Sequence, residues 1–390
     1  MGNVLKNDYK SSFPIILCCL FSLIDILLNT EIIYLIPSEY LSLIKYLIAA
    51  VVIFYLFLNL FYTKIGTAEY LLFFLLLVTA GVFVFGETLH PLMLVIFLYL
   101  FRSYKFEVIL KPLYLMLISV FAFTVFMSVT DVYPNLSYSR EETVRYALGF
   151  LTPTLGQSVL LFALLSKFYL KKRTMSVLSI AVYAVLISAM YYFTAGRTGF
   201  YLGVFALLCI VLYKIICRVK KSNNTSSKKG LAYFAALIPV ACLLLSLLMT
   251  KLYADGNEFA VELNHALSTR LLLQHKAFLE RTVTLFGQSI TWADESGIYI
   301  GIDNSYLYHL FNYGIIIFAL AIFMYCLMLK RAVNNGNYTL VLVVIIILID
   351  ALVEPYLIDF KYNFFVFYPM LIVPPKDNVI VDSKKIIANS

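Results

Sequence analysis

Apolar residues in this chain come in long runs, with little of the two-residue alternation of strands or the single apolar stripe of soluble helices. Twelve runs occur, at about 13–30, 41–62, 69–86, 89–101, 112–129, 147–166, 175–194, 199–217, 231–250, 305–329, 338–353 and 362–373. Most are about 17 to 25 residues long, the length that crosses a ~30 Å hydrocarbon core at ~1.5 Å per residue. The pattern predicts an all-α polytopic membrane protein of about 12 transmembrane helices, one integral membrane domain over residues 1–390. The fourth and twelfth runs are short enough to be re-entrant or interfacial instead. Lys6 and Lys10 precede the first run as they would in a signal peptide, but no small-residue cleavage site follows, so it reads as a retained span.

One polar interruption stands apart. Residues 251–304 are too polar for lipid as far as Ile302, yet they carry amphipathic periods. They read as one large structured external loop containing an amphipathic helix, which leads straight into the tenth span. Residues 214–230, "KIICRVKKSNNTSSKKG", read as a basic cytoplasmic linker.

Composition agrees with the runs. The chain is 62% hydrophobic and 13% charged, against about 25% charged in ordinary soluble domains. The net charge of +8 invites a nucleic-acid partner, but 21 of the 30 basic residues fall in segments on one side of the predicted membrane. Of the acidic residues, 15 fall on the other side and five on the basic side. This is the positive-inside pattern; it puts both termini in the cytoplasm and excludes a nucleic-acid role. All six cysteines lie inside predicted spans without CxxC spacing, so neither a disulfide framework nor a metal site is expected. No internal repeat of fixed period is present, which weakens the reading as a two-halved transporter.

The outer face gathers the candidate chemistry. Around Arg197, "YFTAGRTGFYLGV" breaks two spans with Gly196 and Gly199 and starts a helix whose N–H groups would lie beside a permanent guanidinium. That suits a diphosphate, or else a tight turn with a snorkelling arginine. In the loop, Arg270 and Arg281 are eleven residues apart. On one continuous helix they would differ by about 20° in azimuth and lie some 16 Å apart. Gln274 falls between them, and Leu263, Leu267, Leu271 and Phe278 follow a similar stripe. Inward arginines need anionic partners; Glu262 and Glu280 are the local ones, and Ser268 is a residue that could cap a new helix and break the register. Asp303, Asn304 and Ser305 are all good N-cap types at the start of the tenth span, so Asp303 is either a cap or a base for a bound hydroxyl. His309 lies six residues on, about 240° round the helix, and reads as a hydrogen-bonded bundle residue. Asp350 and Glu354 form an i, i+4 carboxylate pair, and with Asp25 they are acids at membrane depth, either functional or paired with an outer arginine. The second outer loop adds Arg140 and Arg145, with Tyr133, Tyr138 and Tyr146 suited to an interfacial aromatic belt. There is no P-loop, no HExxH, and no GxGxxG beside a strand. Sugar transfer by such a chain would need a preactivated, lipid-borne donor.

Four segments, in order, carry a family resemblance: "RYALGFLTPTLG" from Arg145, "AGRTGF" around Arg197, "LNHALSTRLLL" with a following "LFG", and "DNSYLYHLFNYGII". Together they resemble the motifs of Wzy-type polysaccharide polymerases, which act on O-antigen, capsular or exopolysaccharide repeat units and are related to the O-antigen ligases. Thr154 stands where the family often has Asn, Thr269 where a Gly often precedes the loop arginine, and Asp303 where the ligases carry a His, which favours polymerase over ligase. The resemblance implies a GT-C-like fold in the bacterial cytoplasmic membrane and a metal-independent glycosyltransferase without cofactor. It also implies undecaprenyl-diphosphate-linked oligosaccharides as donor and acceptor. A chain-length regulator and a flippase of the same pathway are the implied partners, besides membrane lipid. On it, Asp303 is the expected base, and Arg197 and Arg270 meet the donor diphosphate. Arg281, Arg145, Arg140, Gln274, Asn304, Tyr306, His309 and Glu354 form the wider set expected to contact substrate. A ligase, or a flippase with charges along a central path, are the competing readings.

Overall fold

The computed structural model describes residues 5–61, 63, 65–140, 143–219, 229–290 and 301–372. Residues 220–228 of the expected linker, 291–300 of the expected loop and all from 373 onward lie outside them. The first five helices among the described residues are α1 (Leu5–Leu27), α2 (Ser38–Phe61), α3 (Thr67–Gly86), α4 (His90–Leu100) and α5 (Phe106–Val129). An antiparallel ribbon follows, β1 (Ser137–Arg140) with β2 (Thr143–Tyr146), Ser137 opposite Tyr146. Then come α6 (Leu155–Lys171), α7 (Val177–Thr194), α8 (Arg197–Val219) and α9 (Lys229–Ala254). The last four are α10 (Glu258–Ala266), α11 (Arg270–Glu280), α12 (Ser305–Asn334) and α13 (Tyr338–Asp350).

Seven of these, α2, α3, α5, α7, α8, α9 and α12, are long and apolar enough to cross a membrane. Their outward faces are large apolar side chains, among them Phe54, Phe57, Phe61, Leu77, Val84 and Leu178. Exposed apolar side chains in such number far exceed what a protein in water tolerates and mark the helices as lipid-facing. The chain is therefore an all-α membrane protein.

Three of the expected spans differ in detail. The sixth does not begin at 147: residues 147–154 form turns, and α6 starts at Leu155. Pro153 explains this, since the residue before a proline is driven out of the helical region. The twelfth is not an α-helix; Phe364–Ile372 is a 3-10 segment, opened by Asn363, whose side chain accepts from the Phe365 N–H at 3.3 Å. Its Phe364, Phe365 and Phe367 are fully buried, so the run is protein core and not a lipid-facing span. The tenth, α12, is interrupted at Gly314, whose backbone (φ 78°, ψ 172°) is not helical.

The chain divides into two compact units. The first comprises residues 1–66, 96–221 and 360–390. Its centre is α6, buried over almost its whole surface, as a helix apolar all round must be. Phe21, Phe97, Phe101, Phe360 and Phe367 form an aromatic cluster in this unit. Asp25, in α1, pairs with two lysines, Lys45 at 2.6 Å and Lys361 at 3.7 Å. Glu31 is fully buried. Its two carboxylate oxygens accept from the backbone N–H groups of Asn135 (2.7 Å) and Leu136 (2.6 Å), which pins the loop between α5 and β1. Tyr133 in that loop is also buried, so it leaves the expected belt to Tyr138 and Tyr146.

The second unit comprises residues 67–95 and 222–359. Here α9 runs along α12, and α10 and α11 pack on α9. Ala277, Ile302, Leu307 and Phe311 make a small core that seats α11 against the start of α12.

Candidate functional site

The loop helix is two helices. α10 ends at Ala266, and Ser268 and Thr269 both take left-handed backbone (φ 62° and 66°) before α11 begins at Arg270. The turn lacks glycine, so its closure rests on side chains. Asn264, buried on α10, accepts the Leu272 N–H at 3.0 Å and so caps α11 from the preceding helix, while its own carbonyl accepts from Thr269 N. The break falls where Ser268 hinted at one, but the capping side chain is Asn264.

The two ends of α11 decide where the arginines go. Arg270, Leu271, Gln274 and Ala277 form the buried face of α11, whereas Arg281 sits past its end in extended backbone. The shared face expected for Arg270 and Arg281 is therefore absent. Arg270 does not pair with Glu262 or Glu280 in its own loop. Its Nε donates to Asp303 Oδ2 at 2.9 Å and its Nη2 to Glu354 Oε1 at 3.0 Å. Burial alone would push the guanidinium pKa down; Glu354 and then Asp303 outweigh it, so the group is held more firmly charged than usual. The three side chains are unequally covered: Glu354 is 4% exposed, Arg270 9% and Asp303 26%. Asp303 is thus the member through which the cluster meets solvent.

Asp303 is available for this because its neighbour does the capping. Asn304 Oδ1 accepts from the N–H groups of Tyr306 (3.0 Å) and Leu307 (3.2 Å). Asn304 Nδ2 donates to Ser246 Oγ on α9 at 2.8 Å and to the Leu352 carbonyl at 3.0 Å. Ser305 Oγ donates to the Glu354 carbonyl at 2.5 Å and accepts from Leu357 N, which fixes the segment that carries Glu354. Gln274 accepts from the Thr250 hydroxyl at 2.8 Å, tying α11 to α9 one turn from Ser246. Because α13 stops at Asp350, Glu354 leaves the helical pairing expected with Asp350 and turns to Arg270. Tyr306 is fully buried and donates to the Leu348 carbonyl at 3.0 Å. His309 is also fully buried; its Nε2 accepts from Ile358 N at 3.3 Å, so the neutral ring carries its proton on Nδ1, which finds no partner among the described residues. Both are packed inside the bundle, where neither reaches a surface from which to make the substrate contact the resemblance implies for it.

Arg145, Arg140 and Arg197 belong to the first unit. Arg145, on β2, donates from Nε to the Thr194 carbonyl at 2.9 Å, a cation at the C-terminus of α7 where the helix dipole favours it. Arg140 closes β1, and its side chain lies outside the described residues. Arg197 is exposed at the first position of α8. The turn before it is tight because Gly196 and Gly199 sit against the Gln157 side chain: a Cβ at either position would meet Gln157 Oε1 at 2.5 or 2.2 Å. Gln157 in turn donates to Thr194 Oγ1 at 2.8 Å.

No protein-family model, curated protein or solved structure matches the chain. The site therefore stands on its geometry. A guanidinium between two carboxylates has a net charge of about −1 when all three are ionised, the wrong sign for a diphosphate seat and the right one for a group that orients and deprotonates a hydroxyl. Ser246, Thr250 and Asn264, which hold the cluster in place, carry no signal in the sequence beyond their polarity within apolar or amphipathic helices. Glu354 is legible in the sequence as an acid at membrane depth that pairs with an outer arginine, and the structure shows which one.

Proposed function

We propose that the protein is a Wzy-type polymerase. It transfers a growing glycan from undecaprenyl diphosphate to the sugar end of the next lipid-linked repeat unit, on the outer face of the bacterial cytoplasmic membrane. The topology that goes with this reading puts the N-terminus in the cytoplasm and residues 251–304 outside. The observation that carries it is the Arg270–Asp303–Glu354 cluster, built from two of the four motifs together with an acid that follows α13. In the proposed step the acceptor hydroxyl attacks the anomeric carbon, the bond from that carbon to the diphosphate oxygen breaks, undecaprenyl diphosphate leaves, and the hydroxyl proton passes to Asp303. Because Arg270 already faces two carboxylates, its role in this step is to position Asp303. A single direct displacement predicts inversion at the anomeric carbon, and a retained configuration in the linkage formed would sink this step.

The test is a gel of lipid-linked and surface glycans from cells lacking the protein, complemented with wild type or with Asp303→Asn. Single repeat units accessible at the outer face without a ladder, restored by wild type and not by Asp303→Asn, support the proposal. Full-length lipid-linked polymer left unattached identifies a ligase instead, and repeats trapped inside identify a flippase.

A further inference from the structure

The segment 282–290, between α11 and the residues leading to α12, has polar ends and an apolar middle: Thr282, Val283, Thr284, Leu285, Phe286, Gly287, Gln288, Ser289, Ile290. It does not stay at the level of the helix ends. The Phe286 ring lies against α3, where a Cβ on Gly81 would meet it at 3.0 Å, and stacks on Phe85 at a centroid distance of 6.1 Å. Gly81 is five residues before the end of α3, which has 20 residues. At ~1.5 Å per residue that helix is about 30 Å long, just enough to cross the hydrocarbon, so Phe286 lies roughly 7–8 Å inside it. On the other side the segment fits the break in α12. Gly287 and Gly314 approach so closely that a Cβ on Gly287 would meet the Asn312 carbonyl oxygen at 2.1 Å, and one on Gly314 would meet the Leu285 oxygen at 2.4 Å. Gly314 is nine residues into α12, about 14 Å along it.

A second, independent observation concerns backbone polar groups, which cannot face hydrocarbon unpaired. The carbonyls of Thr284 and Leu285 accept from Ile315 N (3.0 Å) and Ile316 N (3.3 Å), the donors released by the break in α12. The Gly287 carbonyl accepts from the Thr284 hydroxyl at 2.8 Å, the Thr282 carbonyl from Gln288 Nε2 at 2.7 Å, and Ser289 N donates to the Phe85 carbonyl at 3.1 Å. Yet Leu285 (58% exposed) and Val283 point outward, on the same unit as the exposed α3 side chains Leu77, Val84 and Phe85.

We propose that residues 282–290 form a re-entrant segment whose tip is in contact with lipid acyl chains, continuing the lipid face of α3. The inference is independent of the polymerase reading, since it needs only the membrane and the two helices that grip the segment. The chain has one tryptophan, Trp292, outside the described residues, which makes depth measurable in the full-length protein. In a Trp292→Phe background reconstituted in phosphatidylcholine vesicles, Leu285→Trp reports the tip, Leu77→Trp on α3 gives the lipid reference and Glu262→Trp on α10 the aqueous one. Expected is quenching of Leu285→Trp by lipid brominated on its acyl chains to about the extent seen for Leu77→Trp, with protection from iodide. Iodide quenching equal to that of Glu262→Trp, with no excess quenching by brominated lipid, overturns the proposal. Val283→Trp makes the same measurement should the first variant fail to fold.

Discussion

Removing the Arg270 guanidinium should be costly for a specific reason, and the cost should be recoverable at one carboxylate and not the other. In Arg270→Met the apolar stem is kept, but Glu354, only 4% exposed, loses the cation at 3.0 Å. Leaving a buried charge without its partner costs about 3–5 kcal/mol, whereas a buried ion pair exchanged for neutral groups of similar volume is close to neutral. Asp303, 26% exposed and 2.9 Å from Arg270, can be rehydrated, and its share should resemble that of a half-exposed pair, about 1 kcal/mol or less. The double variant Arg270→Met/Glu354→Gln should therefore regain most of the lost stability, and Arg270→Met/Asp303→Asn little of it. Unfolding free energies from steric trapping or SDS titration in bicelles would measure the whole cycle. Equal recovery by the two double variants, or a single Arg270→Met as stable as wild type, would refute the assignment of Glu354 as the buried anchor.

Further outcomes follow from other contacts. Thr269→Gly should stabilise the loop by about 1 kcal/mol, because a β-branched residue at φ 66° is relieved of left-handed strain; limited proteolysis of the α10–α11 turn should slow accordingly. Gly287→Ala and Gly314→Ala should each destabilise by about 3 kcal/mol or more, since both place a Cβ within 2.4 Å of backbone at positive φ; thermal aggregation in detergent should begin at lower temperature. Glu31→Gln should lose about 1.5–3 kcal/mol, because one of two charge-assisted bonds to Asn135 and Leu136 becomes a mismatched amide contact; hydrogen exchange at those two amides should accelerate.

Much of the membrane architecture is legible in the run lengths, because a helix in lipid must be apolar for its whole crossing and the signal is summed over some twenty residues. What escapes is local or long-range. At 147–154 the composition is apolar enough for a span, and only the proline shows that the helix starts later. At 268–269 two non-glycine residues turn the chain, a conformation no propensity suggests, and α11 ends at Glu280, so a phase carried one residue too far puts Arg281 on the wrong face. Between Asp303 and Asn304 the cap preferences are nearly equal, so the assignment turns on Ser246 and Leu352, which claim the Asn304 amide. The pairing of Arg270 with Glu354 joins residues 84 apart in sequence; an arginine partner for Glu354 is expected from its place at membrane depth, but not which arginine. The sequence did mark Arg270, Asp303 and Glu354 as chemically unusual for their surroundings; their meeting is a property of the fold.

The first unit takes in both the beginning of the chain and its end: Phe21 of α1 stacks on Phe360 at 5.7 Å and lies edge-on to Phe97 at 6.3 Å, and Asp25 reaches Lys361. During synthesis α1 is made well before residues 360–367 leave the ribosome. Until then it keeps a buried acid and an aromatic face without their full set of partners. A chain halted before residue 360 would leave both unpartnered, so the first unit closes only once residues 360–367 have been made.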